Sequence, residues 1–354
     1  MQAPERAALR AMPKAELHLH LEGSLPPEAL WSLARRHGSP FGLTSLDACR
    51  ALYRFRDFAG FIQAIKIAGQ LLRDPADYAA AVAALAAYLR SQGVVYSEVF
   101  FSVGILLWRG VPVEPYWEAI EAARLAAERE SGVRIRWLLD AVRQFGPEPL
   151  ERTVDFALRW RAAGGAALGI GIGGDESRRS AAEFAPAYAR ARAGGLHTTI
   201  HAGETCGSES IRDALRHLAP ERIGHGLRAF EDDALVAELA ARGVALDVCP
   251  TSNLKTGAWP SPAAPNAPYP ALGYLDRGLR LSVSSDDPGI FATTLLDEFA
   301  WLRAHAGFSA QAIAELARNS FACGFLSDAD RAALPSLPLP PAPHPGGDRR
   351  MAVE

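Results

Sequence analysis

Short β-rich runs alternate with longer helical stretches along most of this chain, and that alternation restricts the fold more than any other feature. A strand, a helical crossover and a second parallel strand make one βα unit, so the pattern argues for a parallel sheet flanked by helices. Eight strand candidates stand out: Ala15–Leu21, Val94–Phe101, Arg134–Ala141, Ala167–Ile172, His197–His201, Arg222–His225, Val244–Cys249 and Arg280–Ser285. Several are near-continuous apolar runs, as strands buried on both faces are. Helical stretches at Ala76–Ser91, Pro115–Arg129 and Pro147–Arg161 fill the gaps. Asp232–Arg242 opens on acidic residues and stops at Gly243, which is helix-capping chemistry. The expected fold is therefore α/β, a (β/α)₈ TIM barrel; strand count alone also allows an open doubly wound sheet.

Two stretches break the alternation. Residues Pro26–Leu72 are too long for one crossover and predict an inserted helical region after the first strand, able to cover the barrel mouth. Residues Thr256–Pro270 form a loop rich in Pro, Ala and Asn. The expected organisation is one barrel domain over residues 1–330, then a flexible Pro-rich tail, 331–354, with too little apolar surface to order itself. Half the residues (49%) are hydrophobic, enough for a large core, and the net charge of −3 gives no basic excess to draw nucleic acid or anionic lipid. Neither partner is expected, and the sequence sets no oligomeric state. The polar opening Met1–Arg6 reads neither as a signal peptide nor as a membrane span. Cys49, Cys206, Cys249 and Cys323 lie far apart without a CxxC, which reads as free thiols in a reducing, cytoplasmic setting.

Four motifs carry chemistry, each at the C-terminal end of a strand candidate. In Glu16-Leu17-His18-Leu19-His20-Leu21-Glu22-Gly23, side chains two apart share a face, so His18 and His20 project together while the leucines take the other side. Alone, this pair could equally be two hydrogen-bonded core histidines. His201-Ala202-Gly203-Glu204 supplies a third imidazole, a glycine for a tight turn, and a carboxylate beyond it; a surface acidic loop would look the same in isolation. His197, four residues earlier, is expected deeper in the barrel with a structural role. Arg222-Ile223-Gly224-His225-Gly226 sets a histidine between glycines that allow close approach, or that merely form a turn. In Ser284-Ser285-Asp286-Asp287-Pro288, adjacent carboxylates repel and push their pKa values apart. A cation on one would free the other, although Asp before Pro is also a common helix start. Coincidence at strand C-termini favours one site, because barrel enzymes build their active sites there. Three imidazoles and one carboxylate suit Zn²⁺ by ligand type, with iron, cobalt or manganese as alternatives.

These motifs, in this order, resemble the adenosine deaminase family of the amidohydrolase superfamily. The resemblance runs over about residues 12–325 and includes Gly174-Asp175-Glu176 and Cys249-Pro250-Thr251-Ser252-Asn253. It implies one Zn²⁺ per chain held by His18, His20, His201 and Asp286. It implies Glu204 as the acid that protonates purine N1 and His225 as the group that orients and deprotonates water. Asp287 matches the residue that meets N7, and Gly174 matches a backbone contact to N3. All are present, which disfavours a non-catalytic relative. The H-x-E with P-C-x-x-C scheme of nucleic-acid deaminases is absent, since Cys249-Pro250 has no second cysteine.

The implied activity is hydrolytic deamination of a small-molecule 6-aminopurine nucleoside, adenosine, 2′-deoxyadenosine or aminodeoxyfutalosine. Glu22 departs from the Asp that meets the sugar 5′-hydroxyl in nucleoside-acting members. It resembles the adenine deaminase branch, so free adenine, or another amidohydrolase reaction, is the alternative. The stretches Phe55–Phe58, Val99–Trp108 and Trp137–Gly146 resemble a bacterial subgroup that deaminates aminodeoxyfutalosine in menaquinone synthesis. Its substrate carries an aryl ketone chain at the 5′ end, for which Phe55, Phe58 and Trp108 are candidate lining residues.

Overall fold

The computed structural model describes residues 1–261 and 264–334. Eight strands form in chain order: β1 (Lys14–His20), β2 (Val94–Phe101), β3 (Arg134–Val142), β4 (Ala167–Gly173), β5 (His197–Ala202), β6 (Arg222–His225), β7 (Ala245–Val248) and β8 (Leu281–Val283). Each pairs in parallel with the next. Just past β8, Asp286 pairs with Leu19 of β1; His20 N–H donates to the Asp286 carbonyl at 3.0 Å and Asp286 N–H to the His18 carbonyl at 3.2 Å. The ring closes there. A doubly wound sheet would reverse its strand order partway, so the sequential order excludes it.

The crossover helices take the expected places, among them Pro75–Ser91, Glu114–Ser131, Pro147–Ala162 and Asp233–Arg242. Asp232 caps the last of these by accepting from Leu235 N–H, and Gly243 ends it at φ 64°. The main core lies between strands and helices, where Leu19, Val99, Phe101, Trp137 and Leu139 meet Trp117, Val82 and Leu85. Inside the barrel the filling is partly ionic. Arg222, wholly buried, pairs with Glu98 at 2.6 Å and Asp247 at 2.9 Å and donates to the Leu17 carbonyl at 3.0 Å. A buried charge persists only with such partners.

The insertion after β1 comprises helices Pro27–Arg36, Leu46–Leu52 and Phe58–Leu71. Asp57 starts the last by accepting from Gly60 N–H at 2.8 Å. Helices Ala3–Ala11, Val103–Trp108 and Ala271–Asp276 had no counterpart in the sequence reading. Helix Asp328–Ala333 crosses the boundary expected at residue 330. Residues 335–354 of the expected tail, and 262–263 of the expected loop, lie outside the described residues. Among the described residues no helix is long and apolar enough to cross a membrane. His197 departs from expectation: it starts β5 rather than sitting deep in the barrel, has a side chain 37% exposed, and pairs with Glu221 at 2.8 Å.

Candidate active site

The four motifs converge at the C-terminal ends of the strands. The ligand-type atoms of His18, His201, His225 and Asp286 lie within 4.8 Å of one another, as do those of His20, Asp286 and Asp287. Asp286 Oδ1 is 3.4 Å from His18 Nε2 and 3.3 Å from His20 Nε2, and His20 Nε2 is 3.2 Å from His201 Nε2. His225 Nε2 stands 3.6 Å from Glu204 Oε2 and 4.0 Å from Asp286 Oδ2. His225 and Asp286 both take left-handed backbone, at φ 61° and 63°. Such conformations cost non-glycine residues about 1–3 kcal/mol and gather at functional sites.

The imidazoles are aimed by their outer nitrogens. His18 Nδ1 donates to Asp247 at 3.3 Å, His201 Nδ1 to the Ile172 carbonyl at 3.0 Å, and His225 Nδ1 to Asn253 Oδ1 at 3.1 Å. Each Nε2 lone pair therefore points inward. The buried His18 Nε2 has no hydrogen-bond partner. Burial lowers His20 to about 3 and holds His201 and His225 down, the neutral form that ligates. For His18, burial is outweighed by Asp247 and Asp286, which carry it up to about 9. A proton there answers the carboxylates' demand for positive charge, a demand a cation can meet. Inward lone pairs, an orphaned nitrogen and an anionic oxygen fit a metal ion.

The carboxyl groups divide as anticipated. Burial pushes Asp286 up, but His18, His225 and His20 hold it well below the usual carboxylate range. Burial and the Asp286 charge hold Asp287 well above it. Asp287 makes no side-chain cap to the short helix Pro288–Phe291, and its Oδ1 is unpartnered, so the helix-cap alternative fails. Burial, then the Asp286 and Glu176 charges, holds Glu204 well above the usual range. Glu176 fixes the turn that carries Glu204, accepting from the N–H groups of Gly203, Glu204 and Thr205 at 2.8–2.9 Å and from Ser210 Oγ at 2.5 Å.

Two glycines leave the room these groups need. A Cβ on Gly23 would fall 1.5 Å from Asp287 Oδ1, and one on Gly224 would fall 2.6 Å from His18 Cε1. The His18 ring has little room to yield, with Nδ1 fixed by Asp247 and Asp286 standing 3.4 Å from Nε2. Gly224→Ala is expected to weaken metal binding by about 10–100-fold, the usual cost of disturbing a ligand's support. Metal content after dialysis checks this, and unchanged retention would contradict it.

A cavity of about 560 Å³ opens from the cluster, within the size range of small-molecule sites. Glu22, Gly174, Glu204, His225 and Asp287 line it, as do Phe58, Phe61, Ile65 and Trp108. Trp108 is 56% exposed and stacks on Phe145 at 4.3 Å. Phe55 does not line the cavity; it packs behind it on Phe61 and Phe291. Glu176 and Asn253 stand in the resemblance motifs, and Ser102 and Asp140 in the stretches Val99–Trp108 and Trp137–Gly146, without a role assigned there; Asp247 stands in none of them.

A (β/α)₈ barrel with this histidine–aspartate cluster at its strand ends defines an amidohydrolase-type enzyme, a hydrolase acting on C–N bonds. The profile described as adenosine deaminase matches residues 13–337. An adenine deaminase from Sinorhizobium medicae is 37% identical over 322 residues, covering 91% of this chain and 96% of the relative. An aminodeoxyfutalosine deaminase from Streptomyces avermitilis is 35% identical over 326 residues, covering 92% and 90%. The crystal structure of adenine deaminase from Arthrobacter aurescens superposes with a TM-score of 0.81 at 32% identity, covering 90% of this chain and 96% of that one. An amidohydrolase from Burkholderia ambifaria, solved with bound Zn, gives a TM-score of 0.81 at 25% identity, covering 94% and 91%. The chain belongs to the adenosine deaminase family.

Proposed function

We propose that this chain hydrolyses the 6-amino group of a purine nucleoside, releasing the 6-oxo product and ammonia, with one Zn²⁺ held by His18, His20, His201 and Asp286. The observation that carries the nucleoside reading is the cavity's extent. It runs from the buried cluster past Glu22 to the exposed Trp108, beyond what a bare purine fills. Three imidazoles and a carboxylate suit zinc, which when bound supplies Lewis acidity that brings the pKa of water to about 7.

His225, with Nδ1 committed to Asn253, keeps Nε2 free to orient a water and accept its proton. Attack at C6 drives electron density onto N1, so a proton must be delivered there. Glu204 delivers it, being held protonated by burial and by neighbouring charge. Asp287, likewise protonated, donates to N7. The Gly174 N–H serves N3.

Among nucleosides, the apolar wall of Phe58, Phe61, Ile65, Ile105 and Trp108, with Lys66 and Arg109 beside it, favours a 5′ aryl chain such as that of aminodeoxyfutalosine. Free adenine is the second reading, favoured by Glu22 and by the several relatives named adenine deaminase. Steady-state kinetics on adenosine, 2′-deoxyadenosine, adenine and aminodeoxyfutalosine, followed by the ultraviolet shift to hypoxanthine, tests both. Higher kcat/KM on a nucleoside is the expected result. Faster turnover of adenine than of every nucleoside would overturn it.

A further inference from the structure

Two buried carboxyl oxygens face this cavity without a partner. Asp140, at the end of β3, is 3% exposed, and its Oδ1 has no hydrogen bond. Glu22, just past β1, is 5% exposed, and its Oε2 has none. Both line the cavity, as does Ser102 at the end of β2. Ser102 ties the pair together: its N–H donates to Glu22 Oε1 at 3.1 Å, and its side chain hydrogen-bonds to Asp140. Buried acceptors left open this way cost stability unless a ligand supplies donors.

Their place around the barrel says which part of the substrate they meet; this step rests on the proposed purine orientation. Glu204 follows β5 and takes N1, Gly174 follows β4 and takes N3, and Asp287 follows β8 and takes N7. Going round the purine from N3 to N7 passes N9. Going round the barrel from β4 to β8 by the same side passes β3, β2 and β1. The N9 substituent therefore lies over Asp140, Ser102 and Glu22. A free base offers one N9–H to this pair of acceptors. A ribose offers two adjacent hydroxyl donors.

We propose that Asp140 is a specificity-determining residue that accepts a hydrogen bond from a ribose hydroxyl of the substrate. It makes the sugar, rather than the base alone, part of what the enzyme recognises. Asp140 would then touch the substrate without acting on the reacting atoms, and its removal should raise KM more than it lowers kcat.

The test takes the zinc-loaded enzyme, its Asp140→Ala and Asp140→Leu variants, the best nucleoside substrate, and that nucleoside's 2′-deoxy and 3′-deoxy forms. Asp140→Ala should lose about 10-fold in kcat/KM on the parent nucleoside, the upper end of what a single neutral hydrogen bond contributes. On the analogue lacking the hydroxyl that Asp140 reads, the same variant should lose less than about threefold, because the interaction is already gone. Metal content and thermal melting guard against a folding defect. If the Ala variant does not fold, the same comparison on Asp140→Leu, which fills the space without an acceptor, decides. Equal losses on all three substrates would overturn the proposal. So would a wild-type enzyme that deaminates adenine and no nucleoside, an outcome that leaves purine deamination intact. An enzyme inert on every 6-aminopurine would instead remove the underlying reading, and this inference with it.

Discussion

Glu204→Gln is expected to lower kcat by about 10²–10⁴-fold, the range that general acid catalysis supplies. Gln matches the shape of the carboxyl, and the turn that carries it is held through backbone N–H groups by Glu176, so the site should keep its geometry. Metal and substrate should still bind. The missing element is a proton that can leave, which an amide does not offer to N1 at neutral pH. The pH profile gives a second readout. Only the protonated carboxyl can donate, so wild-type activity falls as pH rises through the Glu204 pKa. That pKa is raised by burial first, then by Asp286 and Glu176, which keeps the acid form available well above the ordinary carboxylate range. The Gln variant should lose this alkaline limb along with most of its rate. Near-normal turnover, or an unchanged limb, would place the acid elsewhere.

The barrel and the inward-facing groups were legible because both rest on local periodicity. His18 and His20 are two apart on one strand, and each motif ends a β-rich run. The supporting groups were not legible for the opposite reason. Asp247 meets His18 across 229 residues, and Glu98 meets Arg222 across 124, so no window of sequence contains both partners. A signal was nevertheless present. Glu98, Asp140 and Asp247 are each the lone carboxylate of a largely buried strand. In a strand buried on both faces, such a residue must find a cation, a donor or a ligand. Glu98 and Asp247 find Arg222 and His18; Asp140 finds only Ser102 and keeps an open oxygen. Phe55 failed as a lining residue because aromatic spacing on the inserted helices does not say which rings face the cavity and which pack behind it.

Asp286→Ala is expected to abolish activity by removing the metal. Among the described residues Asp286 is the one carboxylate that pairs with both His18 and His20, and its oxygen carries the negative charge that the imidazoles lack. Without it His18 keeps Asp247 on one side, but its Nε2 loses the carboxylate 3.4 Å away. Alanine also suits the backbone poorly, since φ is 63° there and the residue's N–H and carbonyl close the barrel onto β1. A loss of stability could therefore mimic a loss of metal. Asp286→Asn separates the two. Asn tolerates left-handed backbone, matches the carboxylate in volume, and removes the charge alone. Its melting temperature should stay near that of the metal-stripped wild type, while metal per chain falls towards zero and turnover falls to background. Chelation of the wild type should give the same inactive state, and zinc should restore the wild type but not the Asn variant. A variant that keeps one metal per chain and measurable turnover would show that the cluster holds its ion without Asp286, and the ligand set would have to be redrawn around His225.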